Sequence, residues 1–206
     1  MLSLTLDTNC ILALDALKND PSSPRKAEAE LVQKIVDAHL RQEARVAVVA
    51  ISASERQSGK TYLESFSDFE KRLASLNLEQ LHVLNPMAYF DITFFDNCLF
   101  CDEEMEELER KIHLTLFPAI QFDWQEYCAA NGISETPETP DGRWRNAKCD
   151  VQAFWSHVWH KQDVFVTSDQ NFQTQSKKEQ LLLLAGGHIA TPSSAVALIG
   201  NERGAA

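Results

Sequence analysis

The run RVAVVAIS, from Arg45 to Ser52, is the feature that most restricts how this chain can fold. After its leading arginine it carries no charge and no polar alternation, the pattern of a strand covered on both faces. Such strands belong to parallel sheets flanked by helices. The residues before it agree. LSLTLD alternates leucine with polar residues and reads as a strand, and Asp7-Thr8-Asn9 has helix-starting chemistry. CILALDALKND continues as that helix, closed by Asn19-Asp20-Pro21. From Arg25 to Glu43, Leu31, Ile35, Val36, Ala38 and Leu40 recur at roughly helical spacing, which predicts a second helix. Strand, helices and a buried strand open an α/β fold with a parallel sheet.

The middle of the chain breaks that rhythm. Residues 56–145 read as a mainly helical insertion within one domain of 206 residues, with LHVL at Leu81–Leu84 as its one strand candidate. YLESFSDFEKRLASL and the stretch from Met87 to Phe117 read as helical, and NGISETPETPDGRWRN as a loop. Regularity returns with AKCDVQAFWSHVWHK as a helix, DVFVTSD as a strand, SKKEQLLLLA as a helix and GGHIATP as a short strand led by glycine.

Hydrophobic residues at 44% and charged residues at 24% fit a folded globular chain rather than a disordered one. No leader-like or membrane-length apolar run is present, and five widely spaced cysteines fit reduced thiols, so a cytoplasmic protein without membrane attachment is expected. A net charge of -11 argues against a surface designed as a whole to adhere to nucleic acid. It leaves room for a local site that gathers carboxylates around a cation.

Candidate carboxylates fall at element ends. Asp7 follows the first strand, Glu55 follows VVAIS, Asp169 follows VFVTS, and Asp150 stands near the start of the helix leading into that last strand. In an open parallel sheet, ligands collect beyond the carboxyl ends of the strands. Four acids on one such edge repel one another and need a cation to stay ionised. Hard oxygen ligands in that number favour Mg²⁺ or Mn²⁺ over zinc. Phosphodiester hydrolysis is the chemistry that most often uses such sites.

LTLDTNCILAL, the glutamate of VAVVAISASE, the aspartate of NAKCDVQAFWSHV and the closing FVTSDQNF together resemble the motifs of PIN-domain nucleases, in order and spacing. The resemblance covers about half the chain, in two terminal blocks. It implies a three-layer α/β/α sandwich with a central parallel sheet. It also implies metal-dependent cleavage of RNA at Asp7, Glu55, Asp150 and Asp169, with Asn9 and Thr167 in supporting positions. Where many members carry a further acid after the strand-end aspartate, this chain has Asn171, which lowers the charge of the site. RNA is the expected substrate, and an antitoxin or other regulatory protein and a second copy of the chain are the expected kinds of partner. A catalytically inactive PIN-like module that binds RNA or protein is the alternative reading.

Arg143, Arg145 and Lys148, just before Asp150, are candidates for phosphate contacts, with Trp144 to stack on a base. Cys98 and Cys101, with His113 and Cys128, form only a weak zinc pattern, and buried thiols are the favoured reading. Phe90, Phe94, Phe95, Leu99 and Phe100 read as helical core or a homodimer face, and His157 and His160 as structural or surface residues. A phosphatase with an aspartyl-phosphate intermediate would need an acid two residues after Asp7, where Asn9 stands.

Overall fold

The computed structural model describes residues 1–55, 62–134, 141–185 and 187–204. β1 (Ser3–Leu6) is the middle strand of a five-stranded sheet, and it pairs in parallel with β2 (Arg45–Val49) on one side and β4 (Val164–Val166) on the other. β3 (His82–Leu84) extends the sheet beyond β2, and β5 (His188–Ala190) extends it beyond β4, both in parallel. The order is therefore β3-β2-β1-β4-β5. The chain winds outward in one direction through β2 and β3, then returns to the other side of β1. Its reversal point lies between β1 and β4.

Period-two alternation sorts the strand residues onto two faces. Leu4, Leu6, Val46, Val48, Val164 and Val166 pack with α1 (Thr8–Asn19), α2 (Lys26–Leu40), α3 (Phe66–Ser75) and α9 (Pro192–Gly204). Ala47, Val49, Phe165 and Ile189 face α4 (Glu103–Leu116), α5 (Trp124–Asn131), α6 (Gly142–Trp159) and α8 (Gln175–Ala185). Helices thus cover both faces, giving three layers, and the short α7 (Gln170–Gln173) follows β4. Thr5 belongs to the second face. It is fully buried, and its hydroxyl meets His157 Nδ1 of α6 at 3.1 Å, so this polar residue of the LSLTLD alternation is interior rather than solvated. Burial in turn holds the His157 imidazole down at about 3, well below the ordinary histidine range.

Several expectations need correction. RVAVVAIS is extended only to Val49, after which Ala50–Ala53 form a 3-10 turn that re-aims the chain toward Glu55. Residues 87–102 are not helical. They hold a 3-10 turn at Phe95–Asn97 and a parallel bridge between Met87 and Leu99. Phe90 and Phe100 there are each 82% exposed, while Phe94 packs edge-on against Phe66 of α3. Cys98 and Cys101 lie in the same irregular stretch, and Cys128 and His113 are buried elsewhere, with His113 Nε2 on the Ile120 carbonyl at 2.8 Å. Within 56–145 the strand candidate LHVL does form a strand, β3, which joins the sheet. A glycine is required at Gly187, since a Cβ there would overlap the Asp163 carbonyl that accepts from His188 N and starts the β4–β5 pairing. No helix among the described residues is long and apolar enough to cross a membrane.

α4 is fastened to α6 by a buried ion pair. Lys148 and Glu109 are both 0% exposed and lie 3.0 Å apart. Tyr89 donates to both Glu109 oxygens at 2.9 and 2.8 Å, and the Phe122 ring centroid is 3.6 Å from Lys148 Nζ. Burial pushes the lysine down from its ordinary value while Glu109 pulls it back. Removing one partner of such a pair leaves a buried charge and costs about 3–5 kcal/mol, whereas replacing both with apolar residues is often neutral. Lys148→Met should therefore lose about that much in urea unfolding, and Lys148→Met with Glu109→Leu should recover most of it. A double variant as weak as the single one would contradict this role for the pair.

Candidate functional site

The site starts where β1 ends. Asp7 N donates to the Val166 carbonyl of β4 at 3.0 Å, so the residue is fixed at the reversal point of the sheet before its side chain makes any contact. Asp7 is buried, and its carboxylate is enclosed by donors. Oδ1 accepts from Thr8 N at 2.7 Å and caps α1, while Oδ2 accepts from Asn9 Nδ2 and Thr167 Oγ1, each at 2.6 Å. Thr167 Oγ1 also accepts from Asn9 Nδ2 at 2.9 Å and from Asp169 N at 3.0 Å. One hydroxyl thus ties the ends of β1 and β4 together. Asp169 caps α7, with Oδ1 accepting from Asn171 N at 2.8 Å.

Glu55 reaches the same place from β2. Thr8 Oγ1 donates to Glu55 Oε1 and lies 2.6 Å from Ser52 Oγ, which links the first turn of α1 to the end of the 3-10 turn. Arg145 steadies this chain from the far side, its Nε and Nη2 donating to the Ser54 carbonyl at 3.1 and 3.0 Å and its Nη1 to the Asp91 carbonyl at 2.6 Å.

Asp150 comes from α6, and not from the helix start. Asp141 is the cap, accepting from Arg143 N at 2.9 Å and Trp144 N at 3.3 Å, so the helix begins at Gly142 and Asp150 stands in its interior. Among the described residues its carboxylate receives no hydrogen bond, and neither does Asp169 Oδ2. It lines a groove of about 670 Å³.

The electrostatics show that the four acids share one field. Burial, then the charge of Asp169, raises the Asp7 carboxyl to about 6 against the pull of its hydrogen bonds. Burial, then Asp7 and, more weakly, Asp169, raises Glu55 to about 8, with Thr8 and Arg72 acting in the opposite sense. Burial, then Glu55, Asp7 and Asp169, pushes Asp150 well above the usual carboxylate range. Even so, among the described residues no three His, Cys, Asp or Glu side chains stand in an arrangement that would hold a metal ion. The donor chemistry does fit a hard cation, because the groups around the centre are carboxylates and hydroxyls and some carboxylate lone pairs are uncommitted.

The basic residues fare differently. Arg143 is exposed on the first turn of α6. Arg145 is committed to backbone carbonyls, and Lys148 is wholly buried against Glu109, so it makes no phosphate contact. Trp144 is buried, with Nε1 donating to the Gln121 carbonyl at 3.2 Å, and offers no face to a base. Asn171 Oδ1 accepts from Lys177 Nζ, which also donates to the Leu116 carbonyl at 2.6 Å.

Four supporting residues escape a reading by motif. Thr8 bridges Asp7 and Glu55. Ser168 donates from N at 3.3 Å to Asn9 Oδ1 and from Oγ at 2.5 Å to Glu28 Oε1. Glu28 is gripped by Arg25 at 2.9 and 3.0 Å, whose Nη2 also donates to the Asn9 carbonyl at 2.6 Å. This outer chain orients the Asn9 amide so that its nitrogen faces Asp7. Thr8 alone had a visible signal, as the middle residue of Asp-Thr-Asn.

A pH dependence follows from these shifts. An acid whose folded value is raised binds its proton more tightly in the folded state, so it weakens stability as pH rises from its unfolded toward its folded value. For Asp7 that window runs from 3.8 to about 6, a swing on the order of 3 kcal/mol. His157, depressed to about 3, works in the opposite direction between that value and 6.5. The difference between wild type and Asp7→Asn isolates the carboxylate. In chelator-treated protein, Asp7→Asn should gain on wild type by about 2–3 kcal/mol between pH 4 and pH 8 in urea unfolding; a constant difference would contradict the burial of a raised carboxyl.

No protein-family model matches the chain, and comparison with curated proteins and with solved structures likewise yields no match.

Proposed function

We propose that this chain is a PIN-like, Mg²⁺- or Mn²⁺-dependent endoribonuclease, with Asp7, Glu55, Asp150 and Asp169 as the metal-binding and catalytic acids. The observation that carries the reading is the mutual field of these four carboxylates beside the reversal point of an all-parallel sheet. Carboxyls raised by burial and, after it, by one another's charge are favoured in their ionised form by a divalent cation. A sheet of this kind with helices on both faces agrees with the α/β/α sandwich that the resemblance implies.

When bound, such an ion would lower the pKa of a water and polarise the scissile phosphate. The chain's own part is positioning. Thr8, Asn9 and Thr167 hold the Asp7 oxygens in one orientation, so no reorganisation is needed there during reaction. Thr8, by donating its hydroxyl to Glu55 while its backbone N–H holds Asp7, sets these two acids side by side. Arg143, exposed on the same groove as Asp150, is a cation available to a phosphodiester.

One observation favours an inactive RNA- or protein-binding module: the amide oxygen of Asn171 is taken by Lys177, so this position adds no negative charge. Activity separates the two readings. Purified protein incubated with mixed single-stranded RNA and Mn²⁺ should cleave it, chelator should abolish cleavage, and Asp7→Asn should reduce the rate by at least about 100-fold, as loss of an electrostatic catalytic group does. Equal cleavage by variant and wild type would refute the catalytic assignment, and cleavage by neither would favour the binding module.

A further inference from the structure

Asp150 does not close off the acidic centre; it opens onto the groove noted above, whose other walls include Tyr62, Phe117, Ile120, Arg143 and Asn146. We infer that this groove is a subsite for a single unpaired nucleobase next to the scissile phosphodiester, an inference that rests on the nuclease reading and names the form of RNA it acts on.

Composition of the groove decides the occupant. Two aromatic side chains and Ile120 give it flat, apolar walls, while Asp141 and Asp150 make it a poor channel for a run of phosphates. Among the described residues its exposed cation is Arg143, because Lys148 from the same helix is buried and Arg145 is held by the Ser54 and Asp91 carbonyls. A neutral ring with one phosphate suits that balance, and a polyanion laid lengthwise does not. The volume, about 670 Å³, lies within the range of small-ligand sites.

Tyr62 is already prepared as a stacking platform. The Arg145 guanidinium carbon lies 4.3 Å from its ring centroid, and that arginine is fixed by three hydrogen bonds to the backbone beside Glu55 and at Asp91. Phe117 is half-buried at the end of α4, which leaves part of its ring open to the groove. Asn146 is exposed, and among the described residues its amide makes no hydrogen bond, so both its donor and its acceptor are available to a base edge. A base in a duplex presents neither its faces nor its Watson–Crick edge, so this subsite selects single-stranded or locally opened RNA. Sharing Asp150 with the acidic centre places the base within one nucleotide of the bond to be cut.

The test uses the full chain in an Asp7→Asn background, so that RNA is not consumed, and fluorescence anisotropy with a labelled single-stranded RNA of ten nucleotides in Mn²⁺, alongside the same strand annealed to its complement. Loss of one stacked base is worth about 1–3 kcal/mol, or about 5- to 150-fold. Tyr62→Ala and Phe117→Ala should each weaken single-strand binding within that range and leave the weaker duplex binding unchanged. Phe117→Leu, which keeps the apolar packing, should also bind less tightly, and thermal unfolding of each variant separates a lost stack from a lost fold. Single-strand binding that is unchanged in a folded Tyr62→Ala, Phe117→Ala double variant overturns the subsite, as does a parent protein that binds no RNA. If the wild type cleaves RNA while the groove variants bind like the parent, the subsite falls and the nuclease reading stands. If binding depends on the groove but the wild type does not cleave, the nuclease reading falls and the subsite stands.

Discussion

Everything at the candidate site depends on the parallel pairing of β1 between β2 and β4. Leu6 sits opposite Val48 on one side and Val166 on the other, so the three chains leave the sheet at the same level. Parallel strands need covered faces, and both faces of β1 are buried by helices. The residue after such a strand has little freedom. Asp7 N is already committed to the Val166 carbonyl, and the turn into α1 directs the carboxylate to the edge of the sheet. A slip of one residue in this register would exchange the two faces of β1 and carry Asp7 away from Thr167.

Helix capping and cation binding, which compete as explanations of Asp7 in the sequence, use different parts of one side chain. Oδ1 satisfies an orphan donor of α1, and Asp169 does the same for α7. For Asp7 the hydrogen bonds lower the carboxyl value, burial and the Asp169 charge raise it, and the raising influences win. The outcome is a cluster that is stable enough to fold and too repulsive to be comfortable when ionised. That imbalance separates it from an ordinary pair of capped helices, in which each carboxylate would settle below its usual value, as Asp141 does at the cap of α6.

Much of this was legible in the sequence where local chemistry and tertiary role coincide. The first strand, the helix that Asp7 caps, the buried second strand and VFVTSD all read correctly because apolar pattern and turn residues agree. Legibility failed where a contact, near or far in the chain, overrides the apparent pattern. Gly142 and Arg143 look like loop, yet the Asp141 carboxylate pulls them into the first turn of α6 and moves Asp150 to mid-helix. Lys148 looks like surface charge, and only the arrival of Glu109 from α4 makes its burial tolerable. The aromatic run from Phe90 to Phe100 has helical spacing but stays irregular, held by the Met87–Leu99 bridge and by Thr93 on the backbone of Tyr89. α9 had a usable signal in Thr191-Pro192, a capping hydroxyl followed by the residue favoured at a first helical position.

The two ends of α6 show how structure and chemistry divide the work. Its first turns carry the groove residues Arg143 and Asn146 on the solvent side and Trp144 on the core side. Its middle carries Lys148 toward α4 and Asp150 toward the sheet edge, two residues apart and so on different sides of the helix. The buried ion pair therefore sets the rotation of the helix. A small turn of α6 about its own axis would strand the Glu109 charge and swing Asp150 out of the field of Glu55 and Asp7 together. Two charges that look unrelated in sequence are in this way mechanically coupled, with the wholly buried one, paired to α4, holding the other in place.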